Sequence, residues 1–350
     1  METVHPLISF IIPAYNAEKT IKKCIESILR IANCKLEVIV VDDGSEDATV
    51  AVCNGIEDER IRIISKENSG VSSARNIGIK ESNGKFLMFV DSDDSICTEE
   101  MQEVILGIES DDELIMFSSL RKYNDTFEKR EPPLKPGIYG KEGLVFLKNS
   151  LLDVPLYKKW ENNYFQGSAW WYLFERKRLI EKEIYFNESL AYSEDLCFCL
   201  LAYQNYTKIK VIDRYVYIVN VIIGSASRRY REHFWEELQC VYSEIVSITG
   251  AQRENLYYHY GKSAINHYLL YCNLKDCRKK IEIIICDKKF LDALKKISFK
   301  NRTWNEQIDD FLFAHHATLL LICYKKIYFK IMKSGSQIKQ ILRKKFARRK

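Results

Sequence analysis

"NSGVSSARNIGIKESNGKFLMFVDSDD", Asn68 to Asp94, is the stretch whose reading decides the fold. Ser69 and Gly70 open a helix, Phe86–Val90 is an apolar strand, and the chain then turns acidic at Asp91, Asp93 and Asp94. A strand that ends in clustered carboxylates places negative charge at one edge of a sheet. The same unit recurs upstream. "LISFIIPAYN" is a buried strand with a turn after it, and in "EKTIKKCIESILR" the residues Ile21, Cys24, Ile25, Ile28 and Leu29 fall at helical spacing. "KLEVIVVDDGS" is a second β-branched run, stopped by Asp42, Asp43 and Gly44; "EDATVAVCNGI" fits a helix and "RIRIIS" a third strand. This alternation predicts a mostly parallel α/β sheet with right-handed crossovers. Ligands in such sheets bind beyond the carboxyl ends of the strands. Those ends carry "PAYN", "DDGS", "SKEN" and "DSDD", so several polar clusters converge on one edge.

Neither a P-loop nor a G-x-G-x-x-G dinucleotide fingerprint follows any strand, so the edge is built from carboxylates instead of a glycine cradle. Carboxylates repel a diphosphate. A divalent cation has to intervene, and hard oxygen ligands favour magnesium or manganese. Asp91 and Asp93 are the candidate metal ligands. A D-x-D triplet alone is equally an acidic turn that caps the next helix.

Farther along, "ELIMFSSL" reads as another strand, and "EPPLKPGIYG" as a loop broken by Pro132, Pro133, Pro136 and Gly137. "SAWWYLFERKRLIEKE" is rich in aromatics, "NESLAYSEDLCFCLLAYQN" is a loop leading into a helix, and "VIDRYVYIVNVIIGSAS" looks extended. From about Arg228 the reading is almost entirely helical.

The stretches "SFIIPAYNAEKTIKKCIESIL", "EVIVVDDGSEDAT", "NSGVSSARNIGIKESNGKFLMFVDSDD" and, later, "SEDLCF" resemble, in order, those of family-2 glycosyltransferases with the GT-A fold. The resemblance implies a Rossmann-like, mostly parallel sheet flanked by helices, followed here by a helical C-terminal region. The expected division is 1–227 for the catalytic domain, with 1–95 as its nucleotide-binding half and 96–227 as its acceptor and catalytic half, and 228–350 for the helical region. The implied activity is inverting transfer of a sugar from a UDP-sugar to a hydroxyl of a glycan or lipid-linked glycan, in cell-surface polysaccharide synthesis, with Mn²⁺ or Mg²⁺ as cofactor.

The resemblance also implies residue roles. Tyr15 stacks on uracil, and Pro13 and Glu18 shape that pocket; a tyrosine in this place is otherwise an edge of the core. Asp43 accepts the imide N–H with Asp42 beside it, unless both merely cap the helix at "GSEDAT". Arg75 reaches the nucleotide, its alternative being a surface arginine paired with a helix acid. Asp91 and Ser92 touch the nucleotide, Asp93 and Asp91 the metal, and Asp94 stands behind them. Asp195 is the catalytic base, because a sugar hydroxyl is a poor nucleophile until a carboxylate removes its proton. Ser193 is also placed to cap that helix. Trp160, Trp170, Trp171 and Tyr172 are either an acceptor platform or core.

Three other readings compete with this one. A nucleotidyltransferase would show a glycine-rich basic loop where "PAYNAEKT" stands. A polyprenyl-phosphate glycosyltransferase often carries membrane-spanning helices, and a non-catalytic nucleotide-sugar scaffold has no need of a base. With 47% hydrophobic residues the chain can bury a large core. Its eleven cysteines lack paired spacing, predicting reduced thiols and no zinc site. No secretory leader or membrane span is expected. The net charge of +5 is uneven: of 53 Lys and Arg, eleven lie in residues 325–350, leaving 42 against 48 Asp and Glu, a net of −6 for the rest. Apolar residues Ile327, Tyr328, Ile331 and Met332, then Ile338, Ile341, Leu342 and Phe346, stripe this basic segment. The expectation is a cytoplasmic enzyme held peripherally on the inner face of an anionic membrane by a tail from about Phe311, or else a tail packed on the body; no nucleic-acid partner is expected.

Overall fold

The computed structural model describes residues 6–32, 34–124, 126–153, 167–221, 230–296 and 304–327. The chain divides into two compact units, Met1–Arg229 with Ser243–Gly250, and Tyr230–Tyr242 with Ala251–Lys350.

The first unit opens as strand β1 (Ile8–Ala14), helix α1 (Ile21–Leu29), β2 (Leu36–Asp42), α2 (Thr49–Asn54), β3 (Ile61–Ser65), α3 (Val71–Glu81) and β4 (Phe86–Phe89). Their spatial order is β3-β2-β1-β4, all parallel. Both faces of β1 are covered, and every one of its residues is buried. Phe10 and Ile12 enter the main core with Ile21, Ile25, Val38 and Met88. On the other face Ile11 meets α3 so closely that a Cβ on Gly78 would lie 2.2 Å from its side chain. Only glycine lets this helix settle onto the sheet. Register brings the strand ends level: Ala14 lies opposite Asp42, and Asp42 opposite Ser65.

After β4 come β5 (Ser95–Ile96), α4 (Thr98–Leu106), β6 (Leu114–Tyr123), β7 (Thr126–Arg130), β8 (Gly137–Tyr139), α5 (Lys141–Leu152), a 3₁₀ turn Ala169–Trp171, β9 (Tyr172–Glu175), α6 (Arg176–Glu181), α7 (Glu194–Asn205) and β10 (Ile209–Asn220). Here the sheet becomes mixed. β9 inserts antiparallel between β4 and β6, while β10 runs parallel to β6 and antiparallel to β5 and β8. Parallelism thus holds for the first four strands and gives way beyond them. The stretch expected to be wholly loop contains β8: Pro136 ends just before it, and Gly137–Tyr139 pair with the lower end of β10. β10 has register shifts between Ile212 and Tyr215 and between Tyr215 and Tyr217. Such irregularities re-aim side chains next to functional sites.

The second unit is helical. It holds the first part of α8 (Phe234–Thr249), then α9 (Glu254–Tyr271), α10 (Leu274–Ile285), α11 (Lys288–Lys296) and α12 (Trp304–Ala314), and residues 318–327 are helical as well. Tyr258 stacks on Phe290 at 5.4 Å, and Phe313 meets both edge-on. No helix among the described residues is long and apolar enough to cross a membrane. The tail stripes beyond Ile327 lie outside the described residues.

Candidate active site

The loops after β1 and β2 are laced together. Asn16 takes the left-handed conformation (φ 49°), its N–H donating to Ser45 Oγ at 2.9 Å while its side-chain oxygen accepts from Glu46 N–H at 2.8 Å. Ala17 N–H donates to Thr49 Oγ1 at 2.7 Å. Glu18 N–H donates to Asp47 at 3.1 Å, and Glu18 Oε2 accepts from Ala48 N–H at 3.2 Å. Glu18 therefore holds the two loops to each other. Tyr15 stands out of this lacing, 49% exposed. Pro13 is buried in β1 beyond its last pairing with β4.

Asp42 and Asp43 are buried. Asp42 Oδ1 accepts from Ser45 N–H at 3.3 Å. Asp43 Oδ1 accepts from Ser69 N–H at 2.9 Å and pairs with Lys66, and Oδ2 accepts from Gly70 N–H at 2.8 Å. Of the helices these acids were expected to cap, α2 is not the one Asp43 serves. No side chain of its own caps α3, and the Asp43 carboxylate, just after β2, takes the N–H groups of Ser69 and Gly70 immediately before the helix. Gly44 (φ 75°) makes the close approach of this turn to Asn68 possible.

The carboxylate turn Asp91–Asp94 is fixed from β10. Asp91 N–H donates to Tyr217 Oη at 3.0 Å. Asn220 N–H donates to Asp94 Oδ1 at 2.8 Å, and Asn220 Nδ2 donates to the Asp93 carbonyl at 2.9 Å. Trp170 stacks on Tyr217 with centroids 4.4 Å apart. Ser92 lies half-buried in the turn. Burial, and then Asp91, push the Asp93 carboxyl above its usual range; burial, Asp91 and Asp93 push Asp94 well above it, against the hydrogen bonds from Asn220 and Tyr217. Asp93 has no cationic side-chain partner among the described residues. Crowded oxygen donors short of positive charge fit a hard divalent cation.

Arg75 is buried at the hub of the site. Nη2 donates to Asp91 Oδ1 at 3.0 Å, and Nη1 to Glu194 Oε1 at 3.0 Å and Asp195 Oδ1 at 2.6 Å. The guanidinium carbon lies 5.1 Å from the centre of the Phe186 ring. Burial works against its charge, but Asp195, Asp91 and Glu194 outweigh that and raise its pKa. The sequence reading sends Arg75 to the nucleotide; here its Nη donors are committed to three carboxylates, while Nε is buried without a partner. Asp195 Oδ2 accepts from Ala169 N–H at 3.2 Å. Burial pushes the Asp195 carboxyl up to about 7, with Arg75 opposing and Glu194 and Asp91 adding to the rise. One shared guanidinium does not neutralise three acids. Ser193, expected to cap α7, instead adopts a left-handed conformation (φ 56°) and makes no side-chain cap bond.

Trp171 and Tyr172 are core, with Tyr172 hydrogen-bonded to Tyr203. Trp170 is half-buried between Trp171 and Tyr217. Trp160 lies outside the described residues. A second acidic group, Glu109, Asp111 and Asp112, sits before β6, on the edge opposite the carboxylate turn, where Lys208 and Lys210 pair with it. Sequence reading did not single out Lys66, Phe186, Tyr217 or Asn220. The tyrosine spacing in "YVYIVN", Tyr215 to Asn220, was the signal for the last two.

Residues 9–175 match glycosyl transferase family 2. An uncharacterized glycosyltransferase of Bacillus subtilis, EpsJ, is 28% identical over 284 residues, 80% of this chain and 75% of its own. The succinoglycan biosynthesis protein ExoO of Rhizobium meliloti is 29% identical over 237 residues, 65% of this chain and 64% of its own. S. aureus TarS 1-349, solved in complex with UDP-GlcNAc, superposes with a TM-score of 0.61 at 20% identity, over 83% of each chain.

Proposed function

Residues 9–175 form a family 2 glycosyl transferase domain on a GT-A-like sheet, and from that premise we propose that the protein transfers a sugar from a UDP-sugar to a hydroxyl of a glycan or lipid-linked glycan, with inversion, in cell-surface polysaccharide synthesis. The observation that carries the reading is one convergence. Asp195 meets Arg75 across 120 residues of sequence, and the same guanidinium holds Asp91 of the carboxylate turn. The Asp195 carboxylate and the carboxylate turn are thereby gathered beyond the strand ends, the arrangement that a base beside a metal-binding pair would need.

In this reading Tyr15 stacks on uracil, and Asp43 accepts its N–H. Asp93, with Asp91, would hold Mg²⁺ or Mn²⁺. Once bound, such an ion offsets the charge that grows on the diphosphate as it leaves. Asp195 takes the proton of the acceptor hydroxyl while that oxygen bonds to the anomeric carbon. The bond from that carbon to UDP breaks, its electron pair departing on the diphosphate. Arg75 on Oδ1 and Ala169 N–H on Oδ2 fix the plane of the base, and its raised pKa makes it a stronger base than a free aspartate. With one base and no covalent nucleophile, a single displacement inverts the anomeric centre. The UDP-GlcNAc complex of TarS and the name of ExoO favour the donor class and the pathway class. The basic tail is read as holding the enzyme on an anionic membrane, where lipid-linked acceptors reside.

The test is a panel of UDP-sugars assayed for hydrolysis and transfer with Mn²⁺ or Mg²⁺ and in excess EDTA. Metal-dependent consumption of one UDP-sugar is expected, with inverted product. Full activity in EDTA, or tighter binding of GDP than UDP, would overturn the assignment.

A further inference from the structure

The end of the second unit is a helical hairpin with two unlike faces. Helix α12 and the helix of residues 318–327 are joined through His315–Ala317, with His316 in the left-handed conformation (φ 49°). Tyr324 Oη donates to Asn305 Oδ1 at 2.9 Å, and Lys325 Nζ donates to Asp309 Oδ2 at 2.6 Å, so the helices lie side by side. Their inner faces are buried: Asp309, Leu312 and Phe313 on one, Leu321, Ile322 and Lys325 on the other. Lys262 of α9 approaches Asp309 at 3.6 Å, and Tyr258 hydrogen-bonds Asp310. The two acids of the hairpin's centre are thus turned inward.

The outer faces carry the opposite of what a solvated face needs. Trp304 is 81% exposed, Phe311 60%, Leu319 51%, Leu320 65% and Ile327 61%. Trp304 and Phe311 are two turns apart on one helix, as are Leu320 and Ile327 on the other, so each pair lies along one stripe. Large apolar side chains exposed in this number on two neighbouring helices mark an interaction face. Charge says which kind. Residues 311–350 contain no Asp or Glu and eleven Lys and Arg. We propose that this hairpin face is the surface by which the protein enters the headgroup layer of an anionic bilayer, with Trp304, Phe311, Leu319, Leu320 and Ile327 inserting and the basic run supplying attraction. A tryptophan at the rim is the side chain best suited to that boundary. A second copy of the chain fits poorly, because symmetric pairing would bring two acid-free basic segments together. The inference rests on the reading of the tail as a membrane anchor, and it adds the folded face that the tail alone does not supply.

The experiment uses full-length protein and vesicles of phosphatidylcholine with or without phosphatidylglycerol, in a flotation assay at low salt. The wild type should float with the anionic vesicles at least tenfold more than with the neutral ones. A double variant, Leu319→Glu with Leu320→Glu, places charge at exposed positions and should keep the wild-type melting midpoint while losing flotation at least tenfold. A second variant, Arg343→Gln with Lys344→Gln and Lys345→Gln, should weaken flotation without abolishing it. If the glutamate variant floats as the wild type does while the glutamine variant does not, the tail anchors alone and the face is not the docking surface. If the wild type does not float at all, both readings fall. If the wild type is dimeric by light scattering and the glutamate variant is a monomer that still floats, the face joins two copies, and the inference is overturned.

Discussion

The half of the sheet built from β1 to β4 and the segment from the 3₁₀ turn to β10 reach the same edge by different means. In the first, the loops are tied by neighbours. The contacts between Asn16–Glu18 and Ser45–Thr49 span 29 to 32 residues, and Asp43 meets Ser69 and Gly70 across 26 and 27. In the second, apart from the bond from Ala169 to Asp195, the contacts that place the acids are remote. Arg75 meets Glu194 and Asp195 across 119 and 120 residues, and Asp91, Asp94 and Asp93 meet Tyr217 and Asn220 across 126 or 127. The difference teaches a division of labour. In the proposed reading, the nucleotide floor is set by local geometry, while the catalytic group is delivered by the far half of the fold. Loss of the Asp195 carboxylate should cost turnover and spare UDP binding, and substitutions in the loops after β1 and β2 should do the reverse.

Asp195→Asn is the strongest way to break that division. It keeps the shape and the Ala169 contact but removes the base. Transfer should fall by at least roughly a hundredfold, the scale of general-base catalysis, with UDP affinity by calorimetry unchanged. Near wild-type transfer would move the base elsewhere, Glu194 being next to it. The pH profile sharpens the same point. A base whose pKa is pushed up to about 7 works only when deprotonated. The rate of the wild type should therefore fall tenfold per pH unit below about 7 and level off above it. A profile flat from pH 5 to 9 would remove Asp195 from that role.

Arg75 is the residue that joins the two regions, so its loss should disturb both. Arg75→Met leaves Asp91, Glu194 and Asp195 without their shared cation, and breaking a buried ionic cluster in this way costs about 3–5 kcal/mol. In the wild type the guanidinium holds the Asp195 pKa down against burial. Without it the carboxyl stays protonated to higher pH, where the wild type gains from the ionised pair. The gap in melting temperature should therefore be wider at pH 8 than at pH 5. Equal gaps would mean that Arg75 acts through packing on Phe186 alone. Arg75→Lys, which keeps charge and loses the fork, should fall between.

The same contrast explains what could be read from the sequence. Strands β1 to β4 were legible because each is an apolar run of the right length, closed by Asp, Asn or Gly, and the acids at their ends are adjacent in sequence to the strands that carry them. The mixed half was not. β9 is four residues long, and nothing in "YLFE" says that it inserts antiparallel between β4 and β6. "SEDLCF" marked Asp195 by its motif, but its pairing with Arg75 could not be foreseen, since a contact across 120 residues leaves no periodic trace. The place of Asp43 before α3 was hidden for a similar reason: caps are sought at a helix's own start, and this carboxylate comes from just after another strand. Lacing of Glu18 to Ala48 could not be told from a pocket wall by residue type.

Tyr217 offers a milder test, because Tyr217→Phe keeps the stack on Trp170 and deletes only the hydroxyl. Leaving Asp91 N–H unpaired costs about 1–2 kcal/mol, roughly a five- to thirtyfold effect. That loss should appear in the Mn²⁺ concentration needed for half-maximal activity and in Mn²⁺-dependent UDP binding, because the hydroxyl acts on the carboxylate turn. Asn220→Ala should act in the same direction. Unchanged metal dependence in both would mean that β10 supports the turn without positioning it.

The smallest expected effect lies on the opposite side of the division. Tyr15 is 49% exposed and stands clear of the lacing made by Asn16, Ala17 and Glu18. Tyr15→Ala should therefore leave the melting midpoint within about 0.5 kcal/mol of wild type, as for surface positions generally. If the ring is the stacking partner of uracil, its removal should weaken UDP binding by about 1–3 kcal/mol, the range for aromatic stacking on a base. Tyr15→Phe should restore most of it, since stacking needs the ring and not the hydroxyl. The turnover rate at saturating donor should hardly move, because the base, its arginine and the carboxylate turn are untouched. A variant that binds UDP as the wild type does would leave Tyr15 an exposed edge of the fold. A variant that binds normally but turns over slowly would break the comparison itself, since a residue of the local floor would then be serving the reaction that the remote half delivers.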